Sequence, residues 1–334
     1  MMPCTTTRLA PSPTGALHLG NARTFLVNYL LARQNNWRVL MRVEDLDGPR
    51  IKKGADQQLL EELTFLGLTW EGPSPPYCGA GVPPAAGTAS IVYQSQRAYA
   101  YEAALGQLAQ AGLAYPCTCS RRDIALAGSA PHAEDAVDSY PGSCRGRFSS
   151  AAHAAELTGR PAAWRVKVDD AEIEFQDNFA GQRSYNLARG GGDFVIFKAD
   201  GLAAYQLAVV VDDAAFDVDA IVRGDDLLDS TARQIHLRRL LGLTPEPQYW
   251  HLPLVIGSDG RRLAKRHGDT RLAHYRQAGC SREKFLGLLG FWCGLLVRRQ
   301  ETSMQDLLAR FDLALLPHTP ITFSPADDAF LRGT

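Results

Sequence analysis

No apolar run in the chain approaches the ~18–20 residues that a membrane-spanning helix needs, so no segment is expected to cross a bilayer. The N-terminus, MMPCTTTRLAPS, lacks the apolar core of a signal peptide, which points to a cytoplasmic protein. A disulfide framework is also missing: seven cysteines, an odd number at irregular spacing, do not staple a chain of 334 residues. Net charge is nearly absent, at −1, which excludes the global basic character of a protein that coats nucleic acid. Lysine is scarce, with 6 against 29 arginines. A nucleic-acid partner would therefore be held by local patches, and arginines do occur in pairs at Arg121 and Arg122, Arg145 and Arg147, and Arg238 and Arg239. No internal repeat is evident.

The length itself is too great for one small core and calls for two or three domains. TTTRLA (5–10) reads as a short strand and WRVLMRVED (37–45) as a second one. Between them Ala22, Phe25, Leu26, Tyr29 and Leu30 follow the i, i+3, i+4 spacing of a helix with one buried face. QQLLEELTFLGL (57–68) is a second amphipathic helix, and this strand–helix rhythm predicts a parallel α/β sheet. EGPSPPYCGAGVPPAAGTAS (71–90) is compositionally a loop, and a helix is expected around 95–112. The segment 115–193 changes character, with clustered cysteines and short strands such as AAWRVKV. YQLAVVVDD (205–213) and AIVRGDDLL (220–228) read as central strands leading into a helix over 230–243 that Ser230 would cap. From 258 the chain reads as mostly helical, with EKFLGLLGFWCGLL its densest apolar stretch.

Two segments carry chemistry. PSPTGALHLGN (11–21) is a turn stiffened by proline and opened by glycine, running into the first helix with His18 at the junction. A strand, a glycine-bearing turn and a helix N-terminus present free N–H groups and the positive end of the helix dipole to an anion such as phosphate. The turn matches neither G-x-x-x-x-G-K-[ST] nor G-x-G-x-x-G, so a P-loop NTPase or dinucleotide enzyme is not indicated. About 240 residues downstream, GSDGRRLAKRHGD (257–269) is a glycine-rich loop carrying Arg261, Arg262, Lys265 and Arg266.

As a pair these segments resemble the signatures of class I aminoacyl-tRNA synthetases, with HLGN (18–21) in the place of HIGH and RLAKR (262–266) in that of KMSKS. RLAPSPTGALHLGNARTFLVNYLLAR, RVEDLD and YQLAVVVDD…IVRG narrow the resemblance to the glutamyl branch, over about residues 8–270. It implies an α/β fold with a Rossmann-like parallel sheet core, a zinc-bearing insert and a helical C-terminal stem-contact region. The divisions expected are 1–114 and 194–257 for the two halves of the core, 115–193 for the insert, and 258–334 for the loop and helical region. The implied reaction is attack of glutamate on the α-phosphorus of ATP, with Mg²⁺, giving glutamyl-adenylate and pyrophosphate. His18, Gly20, Asn21 and the helix N-terminus would then hold the phosphates, and Lys265 would neutralise the departing pyrophosphate. Asn21 departs from the last histidine of HIGH, while Arg262 and Ala264 depart from the first lysine and the serine of KMSKS.

A dicarboxylic amino acid needs two cationic partners and one anionic one, and arginine offers a carboxylate a bidentate fork. By the resemblance Arg8 and Arg223 bind the substrate carboxylates, Glu44 accepts from the α-ammonium, Tyr205 lines the pocket and Ser12 contacts the substrate. Asp45 and Asp47 read as capping or surface charge. The cysteine cluster, Cys117 and Cys119 with Cys144 after 24 intervening residues, suits tetrahedral zinc. Generic zinc chemistry would supply His132 as fourth ligand. The resemblance instead supplies Tyr140, because YPGSC matches the Y-x-x-x-C half-site of the shorter glutamyl-synthetase paralogues. Cys4, Cys78, Cys280 and Cys293 have no partners at metal-binding spacing.

About 65 residues follow the KMSKS-like loop, fewer than an anticodon-binding region requires. This resembles the same shorter paralogues, which attach glutamate to queuosine in the anticodon loop of tRNA(Asp). The expected partners are therefore ATP, L-glutamate and queuosine-containing tRNA(Asp), for a monomer without a membrane partner. Two alternatives stay open: a ligase charging the 3′ end of tRNA, and a non-catalytic tRNA-binding relative, which the presence of Arg8, Glu44, Arg223 and Lys265 opposes.

Overall fold

The computed structural model describes residues 5–72, 91–120, 122–124, 140–261, 263 and 269–334. The chain opens with β1 (Thr6–Leu9), α1 (Leu19–Gln34), β2 (Arg38–Val43), α2 (Ala55–Phe65), β3 (Val92–Tyr93) and α3 (Ala98–Gln110). There follow β4 (Ala114–Cys117), α4 (Ala151–Thr158), β5 (Ala163–Val166), β6 (Glu172–Asp177), β7 (Gly181–Asn186) and β8 (Phe194–Phe197). α5 (Tyr205–Ala215), β9 (Ala220–Gly224), α6 (Leu228–Leu240), β10 (Gln248–Leu252) and β11 (Val255–Ile256) complete the α/β part. The last part is α7 (Leu272–Gln277), α8 (Arg282–Trp292), α9 (Met304–Arg310), β12 (Ile321–Thr322) and α10 (Pro325–Arg332). Among the described residues no helix is long and apolar enough to cross a membrane.

The main sheet has seven strands in the order β3-β2-β1-β9-β10-β6-β7. All neighbours are parallel except the β6–β7 hairpin. Alternation along each strand divides its side chains between two faces. Val222 and Trp250 pack with α1 and the C-terminal helices through Leu26, Leu30, Phe285 and Leu289. Their neighbours Ile221 and Tyr249 join Ala232 and Ile235 of α6 on the other face. The antiparallel sheet β4-β5-β8 is separate and packs on α3, α5 and α6 through Tyr101, Val166, Ile196, Leu207 and Leu237.

Three expectations change. YQLAVVVDD is a helix, α5, and not a strand. Leu207, Ala208, Val209 and Val210 are all buried, and a continuous apolar run carries no period by which to tell helix from strand. Topology decides it, because the parallel strand β9 has to be entered from a crossover element. Ser230 does not cap α6, which begins two residues earlier as a continuation of the 3₁₀ turn Asp225–Leu227. Its Oγ instead accepts a hydrogen bond from Gln206 at 3.0 Å. Finally, β6 and β7, expected within the insert, are hydrogen-bonded to the main sheet through β10, with Asp177 opposite Tyr249.

Candidate active site

In the order of strands, β1 and β9 are the central neighbours from which the chain runs outward in both directions. Parallel α/β sheets place their ligand crevice at the carboxyl ends of the strands at such a switch point. A cavity of about 800 Å³ lies there. Its walls come from the end of β1 (Arg8), the turn (Pro11, Ser12), the start of α1 (His18, Gly20, Asn21), Glu44 after β2, Tyr205 of α5, and Arg223 of β9. The structure thus brings together every substrate-binding residue named from the sequence that lies within the described part. Arg262, Ala264, Lys265, Arg266, His132 and most of the 71–90 loop lie outside it, while the flanking Leu263 and Arg271 line the cavity.

His18 is the N-cap residue of α1, with extended backbone (φ −85°, ψ 151°) and no side-chain cap on the helix. Its Nδ1 lies 3.3 Å from Thr270 Oγ1. Backbone bonds from Leu19 N to Thr270 O (3.1 Å) and from Leu272 N to Leu17 O (2.9 Å) pin the start of α1 to the residues that follow the KMSKS-like loop. Within that loop Leu263 N donates to Val255 O at 3.2 Å. A Cβ at Gly20 would lie 3.4 Å from the Val255 side chain. The start of α1 thus lies in ordinary contact with β11 at the rim of the cavity.

The cavity floor is a stack of buried charges. Arg42 on β2 donates to Asp213 of α5 at 2.5 Å and to Glu44 at 3.1 Å, and Arg8 Nε lies 3.4 Å from the same Asp213 oxygen. Burial alone would raise Asp213, but Arg42 and Arg8 outweigh it and hold the carboxyl below the usual range. Glu44 shows the opposite balance: burial pushes its carboxyl up despite Arg42 and Arg8. Burial also lowers Arg8, with Arg42 and Arg223 adding to that effect against Asp213. Arg42 and Asp213 were missed from the sequence. A charged residue in a strand or at a helix end reads as solvated, and only the fold shows that these two meet inside.

Asp45 and Asp47 play the bland parts expected of them. Asp45 accepts from Ser95 N at 2.8 Å and from Ser95 Oγ at 2.5 Å. Asp47 makes an exposed ion pair with Arg50 at 3.3 Å.

Cys117 ends β4, and Cys119 and Cys144 converge on it with their sulfur atoms all within 4.8 Å of one another. None is in a disulfide. Tetrahedral zinc with Zn–S near 2.3 Å separates its sulfurs by ~3.8 Å, so three thiolates so placed fit such an ion. Tyr140 Oη lies 3.3 Å from Cys117 Sγ and accepts from Cys144 N at 2.9 Å. The Arg165 guanidinium covers the Tyr140 ring at 3.9 Å. A small apolar cluster of Tyr115, Phe148 and Ala154 surrounds the group.

A parallel sheet with a switch-point cavity, the HLGN signature at its rim and a buried arginine–carboxylate floor are the features of an aminoacyl-tRNA synthetase of class I. The family model for class I tRNA synthetases (E and Q), catalytic domain, matches residues 5–320, and the chain belongs to that family of ligases. It is 42% identical to the glutamyl-Q tRNA(Asp) synthetase of Symbiobacterium thermophilum over 98% of both chains. With the glutamyl-Q tRNA(Asp) synthetase of Nocardia farcinica it shares 46% identity over 94% of this chain and 91% of that one. A glutamate tRNA ligase from Elizabethkingia meningosepticum, solved in complex with its amino acid, superposes with a TM-score of 0.78 at 26% identity, covering 98% of this chain and 68% of that one. The fold expected from the sequence, a class I synthetase core, is thereby established.

Proposed function

We propose that the chain activates L-glutamate with Mg²⁺-ATP and transfers the glutamyl group to queuosine in the anticodon loop of tRNA(Asp). The observation that carries this reading is the identity of 42–46% with relatives bearing that name, against 25–26% with two glutamate tRNA ligases of known structure. In the first step a glutamate carboxylate oxygen bonds to the α-phosphorus of ATP and pyrophosphate leaves. In the second a queuosine hydroxyl attacks the acyl carbon of the mixed anhydride and AMP leaves.

Arg8 and Arg223 bind the substrate carboxylates, Glu44 accepts from the ammonium group, and Tyr205 and Ser12 close the walls. His18, Gly20, Asn21 and the start of α1 hold phosphate, and Lys265 meets the pyrophosphate. Such a reaction rests on positioning and charge neutralisation and needs no protein nucleophile. One zinc ion on Cys117, Cys119, Tyr140 and Cys144 would cross-link the insert, whose own apolar cluster is small.

The test is to incubate radiolabelled glutamate and ATP with tRNA(Asp) carrying queuosine, tRNA(Asp) lacking it, and tRNA(Glu). Label is expected on the first alone. Equal labelling of both forms of tRNA(Asp), or labelling of tRNA(Glu) at its 3′ ribose, would overturn the reading. Absence of glutamate-dependent ATP–pyrophosphate exchange would leave a binding protein in place of an enzyme.

A further inference from the structure

The Arg223 guanidinium is held from behind by groups that neither signature contains. Its Nε donates to His251 Nε2 at 2.9 Å and its Nη2 to Thr231 Oγ1 at 2.8 Å. The remaining nitrogen, Nη1, is buried without a hydrogen-bond partner among the described residues. His251 stands directly opposite Arg223 across the β9–β10 ladder. On its far side His251 Nδ1 lies 2.6 Å from Asp177 Oδ2 at the end of β6. Asp177, His251 and Arg223 thus form a row across three adjacent strands, and all three are at most 5% exposed.

The protons in this row are fixed by elementary chemistry. Arginine has only donors, so Nε2 of His251 must offer its lone pair. The ring is then neutral, with its proton on Nδ1 given to Asp177. Asp177 is a fully engaged carboxylate: its other oxygen accepts from the backbone N–H groups of Phe179 at 2.9 Å, Ala180 at 2.6 Å and His251 at 3.2 Å. The groups behind Arg223 thus engage Nε and Nη2, and the two N–H groups of Nη1 are left over.

We propose that Asp177, through the tautomer it imposes on His251, and Thr231 act as positioning residues that orient the Arg223 fork toward the carboxylate of the amino-acid substrate. This rests on the assignment of Arg223 to a substrate carboxylate made above. A planar fork binds a carboxylate well only in one orientation, and small misplacements of a binding group at a reacting centre cost up to ~100-fold in rate. The hairpin β6–β7 is thereby part of the amino-acid site although no residue of it lines the cavity.

The test is glutamate-dependent ATP–pyrophosphate exchange with glutamate and ATP varied separately. Asp177→Asn keeps an oxygen for the three backbone donors but turns an amide N–H toward Nδ1. The imidazole proton is then driven to Nε2, where it faces the Arg223 donor. The glutamate KM is expected to rise at least ~10-fold, the scale of one lost charge-assisted bond, with the ATP KM changing less than twofold. His251→Phe should do the same, and His251→Gln, which restores an acceptor, should recover most of the affinity. A glutamate KM within twofold of wild type in both Asp177→Asn and His251→Phe would overturn the proposal. So would parallel rises in both KM values with a lowered melting temperature, the mark of a merely structural role. Arg223→Ala separates the two layers. If it raises the glutamate KM while the relay variants do not, only the relay falls; if it does not, the assignment of Arg223 falls and takes the relay with it.

Discussion

Glu44 is a carboxyl on which two opposed forces act. Burial favours its neutral form, Arg42 and Arg8 favour the charged one, and burial wins. An ammonium group arriving beside it adds a further positive charge and shifts the balance to the carboxylate. Glutamate affinity should therefore fall on acidification, starting above the ~4.3 of an ordinary glutamate, because the protonated form has no charge to offer. In Glu44→Gln this acidic limb of the KM profile should vanish, with the KM itself raised about tenfold or more. A limb that persists unchanged in the variant would assign it to another group. Lys265 poses a different question, since in the proposed function its charge matters chiefly as pyrophosphate separates. Lys265→Ala should slow adenylate formation by at least ~100-fold with little change in glutamate affinity, the signature of an interaction made in the transition state. Pre-steady-state adenylate formation measures both; a change confined to glutamate affinity would reassign the loop to substrate binding.

Among the elements, α8 shows how sequence pattern and close packing meet. Its glycines are poor helix formers, yet a Cβ at Gly287 would come 1.8 Å from the carbonyl oxygen of Gln300, and one at Gly290 would come 2.6 Å from Leu307. Gly287→Ala should therefore destabilise the protein by about 1–3 kcal/mol through overpacking, read as a lower denaturation midpoint; an unchanged midpoint would mean that the 300 segment yields freely. The helices α1, α2 and α8 and the strands β1 and β2 were legible because their apolar spacing is local. α5 was not, since its period is hidden in an unbroken apolar run, and neither was the docking of β6, which depends on a pairing with β10 more than 70 residues away in sequence. The site divides in the same way. Arg8, His18, Glu44 and Arg223 stand inside recognisable motifs, whereas Asp213, Asp177 and His251 owe their place to burial that no local pattern encodes. For the cysteine-bearing loop, Cys117→Ser or Cys144→Ser should abolish zinc binding. Tyr140→Phe should only weaken it, because three thiolates remain. Metal analysis of chelator-free protein decides this, and protein without zinc would remove the site.

At the scale of the whole molecule the question is how a chain of net charge −1 holds a polyanion. Not all of the paired arginines expected to do so are available. Arg238 is buried and donates to the Pro245 carbonyl at 2.7 Å, Arg239 pairs with Glu246 at 2.7 Å, and Arg145 forks onto Asp193. Arg122 and Arg147 are exposed, both close in sequence to the cysteine cluster. Two exposed arginines beside the cysteine cluster suit contact with a stem-loop, and RNA recognition of this kind favours a loop whose unstacked base can be splayed into a pocket. An isolated queuosine-containing anticodon stem-loop of tRNA(Asp) should therefore be a sufficient acceptor. Arg122→Ala and Arg147→Ala should weaken its binding and lower the dependence of log K on log salt by ~0.7–0.9 for each phosphate no longer neutralised. Neither substitution should alter glutamate-dependent ATP–pyrophosphate exchange, which involves no RNA. Transfer that requires the full-length tRNA, or a salt dependence unchanged in both variants, would place the RNA on another face of the molecule.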